Sequence, residues 1–386
     1  MKRWLIALCL LLPVMAAAGS LTEAERAALL RHGPWPPAPH IDPSNRASGN
    51  PAAIALGQML FHDARLSGSG TMACAGCHAA EKGWADERPT AIGLLPVDRN
   101  SIGLVDVRLW RWFGWDGAMD TLWGQSLRPI LDPREMGGSL AGTAALIRDD
   151  PALACRYRAA FGHEPSAETE GVAVDAAKAI AAFLETLTSP RAAFDDFRDG
   201  LAANAPGAVD AIPADALMGA KLFVGRGQCA VCHLGPNFTN REFHDTGVPF
   251  FVASGRVDPG RHGGIQSLRA SRFGLSGPFN DDPVAAPAAL TAAVLPLHRN
   301  WGEFRVPSLR NLNLTAPYLH DGSLATLRDV IRHYSELDED RLHADGEALL
   351  RPLRLSSAEI DALEAFLRLL AVPPTVAQLP SLKTCP

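Results

Sequence analysis

Two pentapeptides carry the most specific chemistry in this chain: Cys74-Ala75-Gly76-Cys77-His78 and Cys229-Ala230-Val231-Cys232-His233. Two thiols at this spacing can each form a thioether to a porphyrin vinyl group. The adjacent imidazole then swings beneath the iron, which makes Cys-x-x-Cys-His the attachment signature of c-type haem. A zinc ribbon would pair its Cys-x-x-Cys units at closer separation and needs no histidine after each. A redox dithiol would place one motif at a helix start beside a strand. Two complete pentapeptides predict two covalent haems, with His78 and His233 as proximal iron ligands.

The elements around the motifs repeat. Gly57-Gln58-Met59-Leu60-Phe61 precedes the first and Gly219-Ala220-Lys221-Leu222-Phe223 the second. Each reads as a helix ending in Leu-Phe, then a Gly-rich loop, then the haem motif, as in a duplicated unit. Helical periodicity covers Thr143 to Phe161 and Glu170 to Phe197, and Ser323 to Glu336 reads as a further helix with Leu327, Val330, Ile331 and Tyr334 on its apolar face. Ser356-Ser357-Ala358-Glu359 is a capping box that opens a last helix. Strand patterns are scarce. The expected fold is mainly α with long loops: two cytochrome c-like domains, each holding one haem, over 19–205 and 206–386, joined through the small-residue stretch from Ala202 to Pro213.

The chain has 386 residues, 47% hydrophobic and 20% charged, with a formal net charge of −6. That acidic balance excludes a nucleic-acid binder driven by overall charge. Met1-Lys2-Arg3, the apolar stretch Trp4 to Met15 and Ala16-Ala17-Ala18 read as a secretory signal over residues 1–18, cleaved after Ala18. The expected location is the periplasm, with no stable membrane insertion after cleavage. Apart from Cys9 in the signal segment, Cys155 and Cys385 remain outside the haem motifs. In an exported chain they could pair or stay free, and the sequence leaves this open.

What lies on the far side of each iron decides function. A protein-derived sixth ligand leaves no room for peroxide. No methionine follows Met218, so the candidates downstream of the second motif are His244, His262, His298, His320, His333, His343, Tyr318 and Tyr334. On residue pattern alone, a tyrosine on the apolar face of a helix is ordinary packing.

Further motifs make the chain recognisable. Arg65-Leu66-Ser67-Gly68-Ser69-Gly70, Trp115-Asp116-Gly117, Glu135-Met136-Gly137, Pro307-Ser308-Leu309-Arg310-Asn311 and Thr315 to Gly322 together resemble the bacterial di-haem cytochrome c peroxidase and MauG superfamily. The resemblance runs from about Ile54 to Leu370. It implies an active site at the first haem, with Glu135 as the acid–base group for peroxide cleavage, Gln125 orienting the peroxide and Pro129 shaping the wall. It places Trp115 between the haems. It also implies a calcium ion held by Asn100 and the backbone carbonyls of Thr315 and Pro317, an all-oxygen set suited to Ca²⁺.

Two departures locate the chain within that superfamily. Where reductively activated peroxidases carry a distal histidine, this chain reads Ile92-Gly93-Leu94. Where they bring a methionine to the second haem, fourteen positions beyond His320, it has Tyr334. MauG-type enzymes have tyrosine there. The implied function is a MauG-like enzyme that uses H2O2 to reach a high-valent di-haem state and oxidises a secreted partner protein. Arg111 to Gly117 and Gly33-Pro34-Trp35-Pro36-Pro37 look most like the MbnH branch, which converts a tryptophan of a copper-binding partner towards kynurenine. The alternatives are a peroxide-reducing cytochrome c peroxidase and a non-enzymatic di-haem electron carrier.

Overall fold

The computed structural model describes residues 20–248, 251–252, 255–282, 284–339, 345–346, 349–372 and 385. The signal segment, His343 and Pro386 lie outside the described residues. The fold is mainly helical. The helices are α1 (Glu23–Leu30), α2 (Pro51–Phe61), α3 (Cys74–Cys77), α4 (Leu122–Leu131), α5 (Leu140–Asp149), α6 (Pro151–Phe161), α7 (Thr169–Leu184), α8 (Ala193–Ala202), α9 (Ala214–Val224), α10 (Gly260–Ala270), α11 (Ala285–Ala293), α12 (Leu327–Glu336) and α13 (Ser357–Arg368). One small antiparallel ribbon joins β1 (Phe243–Asp245) to β2 (Glu303–Arg305). Among the described residues no helix is long and apolar enough to cross a membrane.

Two apolar cores organise these elements. The first gathers α2, α4, α5, α6 and α7, and α7 is buried on every side from Val172 to Leu184. The second gathers α9 and α13 with Leu29 of α1 and Phe194, Phe197 and Leu201 of α8. Helices α1 and α8 thus pack in the second core, although both precede the expected division at 205/206. Their apolar faces fit the phenylalanine cluster of Phe223, Phe238 and Phe366, where ring centroids lie 5.0–6.4 Å apart.

The repeated Gly-x-x-Leu-Phe segments now have a physical reason. A Cβ on Gly57 would sit 1.9 Å from the Ala179 carbonyl oxygen of α7, and one on Gly219 would sit 1.9 Å from that of Ala362 of α13. Each glycine lets its helix cross its partner at backbone contact. Four residues on, Phe61 and Phe223 each form part of the wall of a cavity.

Three expected helices differ in extent. The segment Thr143 to Phe161 breaks at Asp150, which ends α5 and caps α6 by accepting from Ala152 and Leu153 N–H, with Pro151 at the first position of the new helix. The segment Glu170 to Phe197 breaks between α7 and α8 around Pro190. Helix α12 starts only at Leu327, where Thr326 and Asp329 form a capping box. The box at Ser356 and Glu359 opens α13 as expected.

Candidate active site: two cavities and the wall between them

Each pentapeptide backs onto a cavity, about 320 Å³ behind the first and 560 Å³ behind the second. Cys74, Cys77 and His78 line the first; Cys229, Cys232 and His233 line the second. His78 Nδ1 lies 3.0 Å from the Trp84 carbonyl oxygen and His233 Nδ1 lies 3.0 Å from that of Phe238. Burial holds both imidazoles below their ordinary pKa, His233 at about 4, so both are neutral. A neutral ring that donates from Nδ1 keeps its Nε2 lone pair free for a metal. Burial also pushes the thiols of Cys74 and Cys229 up to about 12 and Cys77 to about 11. A redox dithiol requires a depressed thiol, so this chemistry counts against that reading.

Part of the first cavity's lining is polar. Gln125 and Pro129 reach it from α4, and Glu135 from the turn that follows. Burial raises the Glu135 pKa; Arg128 pulls it down and Asp132 up. Gln125 Oε1 is buried and accepts no hydrogen bond from the protein, the mark of an acceptor waiting for a guest. Two motifs hold this turn in place. Gly68 N–H donates to Met136 O at 2.8 Å, and a Cβ on Gly68 would lie 2.2 Å from Gly137 O. Met136 and Met72 also line the cavity, and both belong to or pack on the first core.

The Ile92-Gly93-Leu94 segment is tied to the same turn. Leu94 N–H donates to Glu135 O and Leu95 N–H to Arg134 O, both at 2.9 Å. Gly93 borders the cavity, while the Leu94 side chain rests against Gly137. The loop from Val257 to Pro259, beyond β1, closes another part of the wall. There Asp258 pairs with Arg99 at 2.6 Å, and Arg99 pairs with Asp116 at 2.7 Å. Burial opposes ionisation of Asp116, yet Arg99 and Arg128 hold its pKa below the ordinary carboxylate value.

The second cavity is larger and more apolar. Leu327, Val330, Ile331 and Tyr334 of α12 all face it, as the helical spacing requires. His333 turns away, its Nε2 lying 2.8 Å from Thr246 O. His244, His320 and Tyr318 also line the cavity, whereas His262 and His298 do not. Tyr318 donates its hydroxyl to Leu312 O at 2.8 Å, and His320 stacks on Phe304 with centroids 3.5 Å apart. No methionine is among the described lining residues. Burial raises the Tyr334 pKa. Arg305 is buried here with Nε and Nη2 unpaired, and burial alone pushes its pKa down to about 9. An orphaned guanidinium edge beside a neutral histidine and two thiols fits a carboxylate-bearing porphyrin.

Asn100, Ser101, Ile102, Trp110 and Trp115 border both cavities and form the wall between them. Trp115 Nε1–H donates to Asn100 O at 2.9 Å. Asn100 Nδ2 donates to Arg88 O at 2.8 Å, which turns its Oδ1 to the opposite side. Thr315 and Pro317 line the second cavity with Asn100, so the three residues expected around calcium border the same cavity. No cluster of three or more His, Cys, Asp or Glu suited to a metal ion occurs among the described residues. A cation here would rely on amide and carbonyl oxygens.

Three residues of this site were missed in the sequence. They are Arg128, Arg305 and His32, which no motif in the sequence analysis singled out. His32 is buried with Nε2 3.1 Å from the His233 carbonyl oxygen, so it braces the proximal residue from outside. A signal existed for the arginines: one lies between Gln125 and Pro129, the other directly before Val306 and the Pro307-Ser308-Leu309-Arg310-Asn311 motif. That motif ties down α8 and segments that precede it. Arg310 pairs with Asp195 at 2.8 Å and covers the Trp35 ring at 3.6 Å, while Asn311 donates to Ser189 Oγ at 2.6 Å.

Comparison with known proteins shows the family to which the chain is similar. Residues 51–203 match the family model for di-haem cytochrome c peroxidase. The chain is 34% identical over 334 residues to methylamine utilization protein MauG of Methylorubrum extorquens, covering 86% of this chain and 82% of that protein. It is 30% identical over 383 residues to cytochrome-c peroxidase IdrP2 of a Pseudomonas strain, covering 96% and 94%. The crystal structure of a MauG-like protein associated with microbial copper homeostasis superposes with a TM-score of 0.63 at 28% identity, over 88% of this chain and 95% of that one.

Proposed function

The chain belongs to the di-haem cytochrome c peroxidase family and is an oxidoreductase of that type, and from that premise we propose that it is a periplasmic MauG-like enzyme that uses H2O2 to oxidise a tryptophan in a secreted, copper-binding partner. Two cytochrome c-like halves each take one haem, through Cys74, Cys77 and His78 in the first and Cys229, Cys232, His233 and Tyr334 in the second. Bound there, the haems supply iron able to hold the two oxidising equivalents of H2O2.

The chain's own groups supply the rest. Gln125 Oε1 accepts the peroxide O–H and orients it. Glu135 takes a proton from one peroxide oxygen and returns it to the other as water leaves. Pro129 fixes the wall behind them. Trp115 relays the electrons drawn from the partner, so the partner need not enter either cavity. Asn100, Thr315 and Pro317 would hold Ca²⁺ beside the second cavity.

The observation that carries this reading is the second cavity, where Tyr334 faces inward and the described lining has no methionine. An anionic oxygen donor on iron lowers its potential and favours the oxidised states. That suits storage of oxidising equivalents better than acceptance of electrons from a small cytochrome. The likeness to MauG and to a MauG-like protein linked with copper homeostasis supports the class of partner. The similarity to cytochrome-c peroxidase IdrP2 favours a second reading, simple reduction of H2O2.

The test is to mix the enzyme, H2O2 and a secreted copper-binding partner and weigh the partner. Oxygen addition at a partner tryptophan, lost in Trp115→Phe, is expected. No mass change, with rapid turnover of a reduced small cytochrome, would establish the second reading instead.

A further inference from the structure

Trp110 and Trp115 both border the two cavities, so either indole could give up an electron there. Their surroundings differ. The Arg305 guanidinium carbon lies 3.3 Å from the centroid of the Trp110 ring, a separation reachable only over its face. Among the described residues no cation covers Trp115, whose N–H instead donates to Asn100 O. A cation over an indole is attracted by its π electrons and makes their removal harder. A carbonyl accepting from the indole N–H does the reverse, because it stabilises the positive charge that develops on nitrogen.

The contrast extends to the nearby indoles. Trp112 lies between Arg111 at 4.9 Å and Arg261 at 4.7 Å, and Trp123 is covered by Lys178 at 5.1 Å. Only the contact on Trp110 bears on the shared wall. Arg305 cannot leave it cheaply. Its backbone N–H donates to Trp115 O at 2.9 Å, its side chain is buried, and β2 fixes its direction. The unpaired Nε and Nη2 lie in the guanidinium plane, so a carboxylate taken edge-on would leave the π face on Trp110 and keep the group protonated.

We propose that Arg305 is a specificity-determining residue: stacked on Trp110, it withholds that indole from oxidation, so that Trp115 is the tryptophan of the shared wall that gives up electrons. The inference rests on the reading of Trp115 as the relay. An unguarded Trp110 would lose two electrons and gain one oxygen atom as H2O2 is reduced to one water, ending as a hydroxylated indole.

The holoenzyme is treated with H2O2 without partner, digested, and oxygen addition at each tryptophan is measured by mass spectrometry. Arg305→Met is expected to raise oxidation at Trp110 on the order of tenfold, while Trp112, still covered by Arg111 and Arg261, stays at its wild-type level. Arg305→Lys is expected to restore most of the protection. Wild-type oxidation of Trp110 in Arg305→Met, normalised to the H2O2 each variant consumes, overturns the proposal. Should Arg305→Met fail to fold, Arg305→Lys is compared with Arg305→Gln, and equal Trp110 oxidation in these two overturns it as well. If Trp115→Phe leaves partner modification intact, the relay reading fails by itself, and the Trp110 measurement is still decisive for Arg305.

Discussion

The two cavities share one part of their lining and differ in the rest. In both, a glycine lets a helix cross its neighbour, a phenylalanine lines the wall, and a neutral histidine donates from Nδ1 to a backbone carbonyl. In the rest of the lining, the first cavity presents Gln125, Glu135 and Arg128, and the second presents Tyr334 among mostly apolar residues. The shared part is copied local sequence. The differing part comes from segments distant in the chain: α4 and its following turn for the first, α12 for the second. The shared features therefore travel with the motif, whereas the rest of each lining is assigned by what tertiary structure brings to it.

The comparison can be broken most severely at Tyr334. Tyr334→Phe should keep both haems attached, since Cys229 and Cys232 are untouched, but should change the low-spin spectrum and abolish partner oxidation. An unchanged low-spin spectrum would transfer the ligand role to His244 or His320, which line the same cavity.

Glu135→Gln comes next. It should preserve the fold and slow peroxide cleavage by about 10²–10⁴, the usual value of a positioned acid–base group, measured by stopped-flow mixing with H2O2. An unchanged rate would remove Glu135 from the chemistry.

A smaller effect concerns pH. Burial raises the Glu135 pKa, with Arg128 and Arg134 opposing and Asp132 adding to the rise. The proton is thus held more tightly in the fold than in the unfolded chain. Stability should fall as pH rises from the ordinary glutamate value to the folded one, while the base form needed for peroxide grows over the same interval. Denaturant titrations of wild type and Glu135→Gln should diverge across that window, with the variant lacking this slope. Parallel curves would mean that the carboxyl is not held in its protonated form.

The smallest effect is expected from Leu94→His. Backbone bonds to Arg134 and Glu135 tie the loop, and the side chain rests on Gly137. Histidine there should leave the first haem high-spin in the diferric enzyme. A second low-spin signal would show that the loop swings inward and that only the residue type kept this chain from behaving as a reductively activated peroxidase.

Legibility followed the distance over which each feature is encoded. The haem motifs, the Leu-Phe helices, the apolar face of α12 and the capping box of α13 are all written within a few residues, and they were readable. The split of Thr143 to Phe161 was also written locally, in Asp150-Pro151, but periodicity alone ran through it. Arg305 was not readable because its partner Trp110 is remote in sequence, and the same holds for His32 and His233. The pairing of Cys155 with Cys385, left open by sequence, is formed, with Cα atoms 5.9 Å apart.

That disulfide has a consequence for the order of maturation. It closes a ring across a sequence separation of 230 residues, and the second Cys-x-x-Cys-His lies inside the ring. In the exported chain proposed above, Cys155 would emerge long before Cys385. During that interval its thiol would be open to wrong pairing with Cys74 or Cys77 behind it and Cys229 or Cys232 ahead. Thioether formation at the motifs, as proposed, would remove those four competitors irreversibly, whereas thiol–disulfide exchange stays reversible. Covalent haem attachment would then act as a proofreading step for oxidative folding: with both haems in place, Cys155 and Cys385 would have only each other.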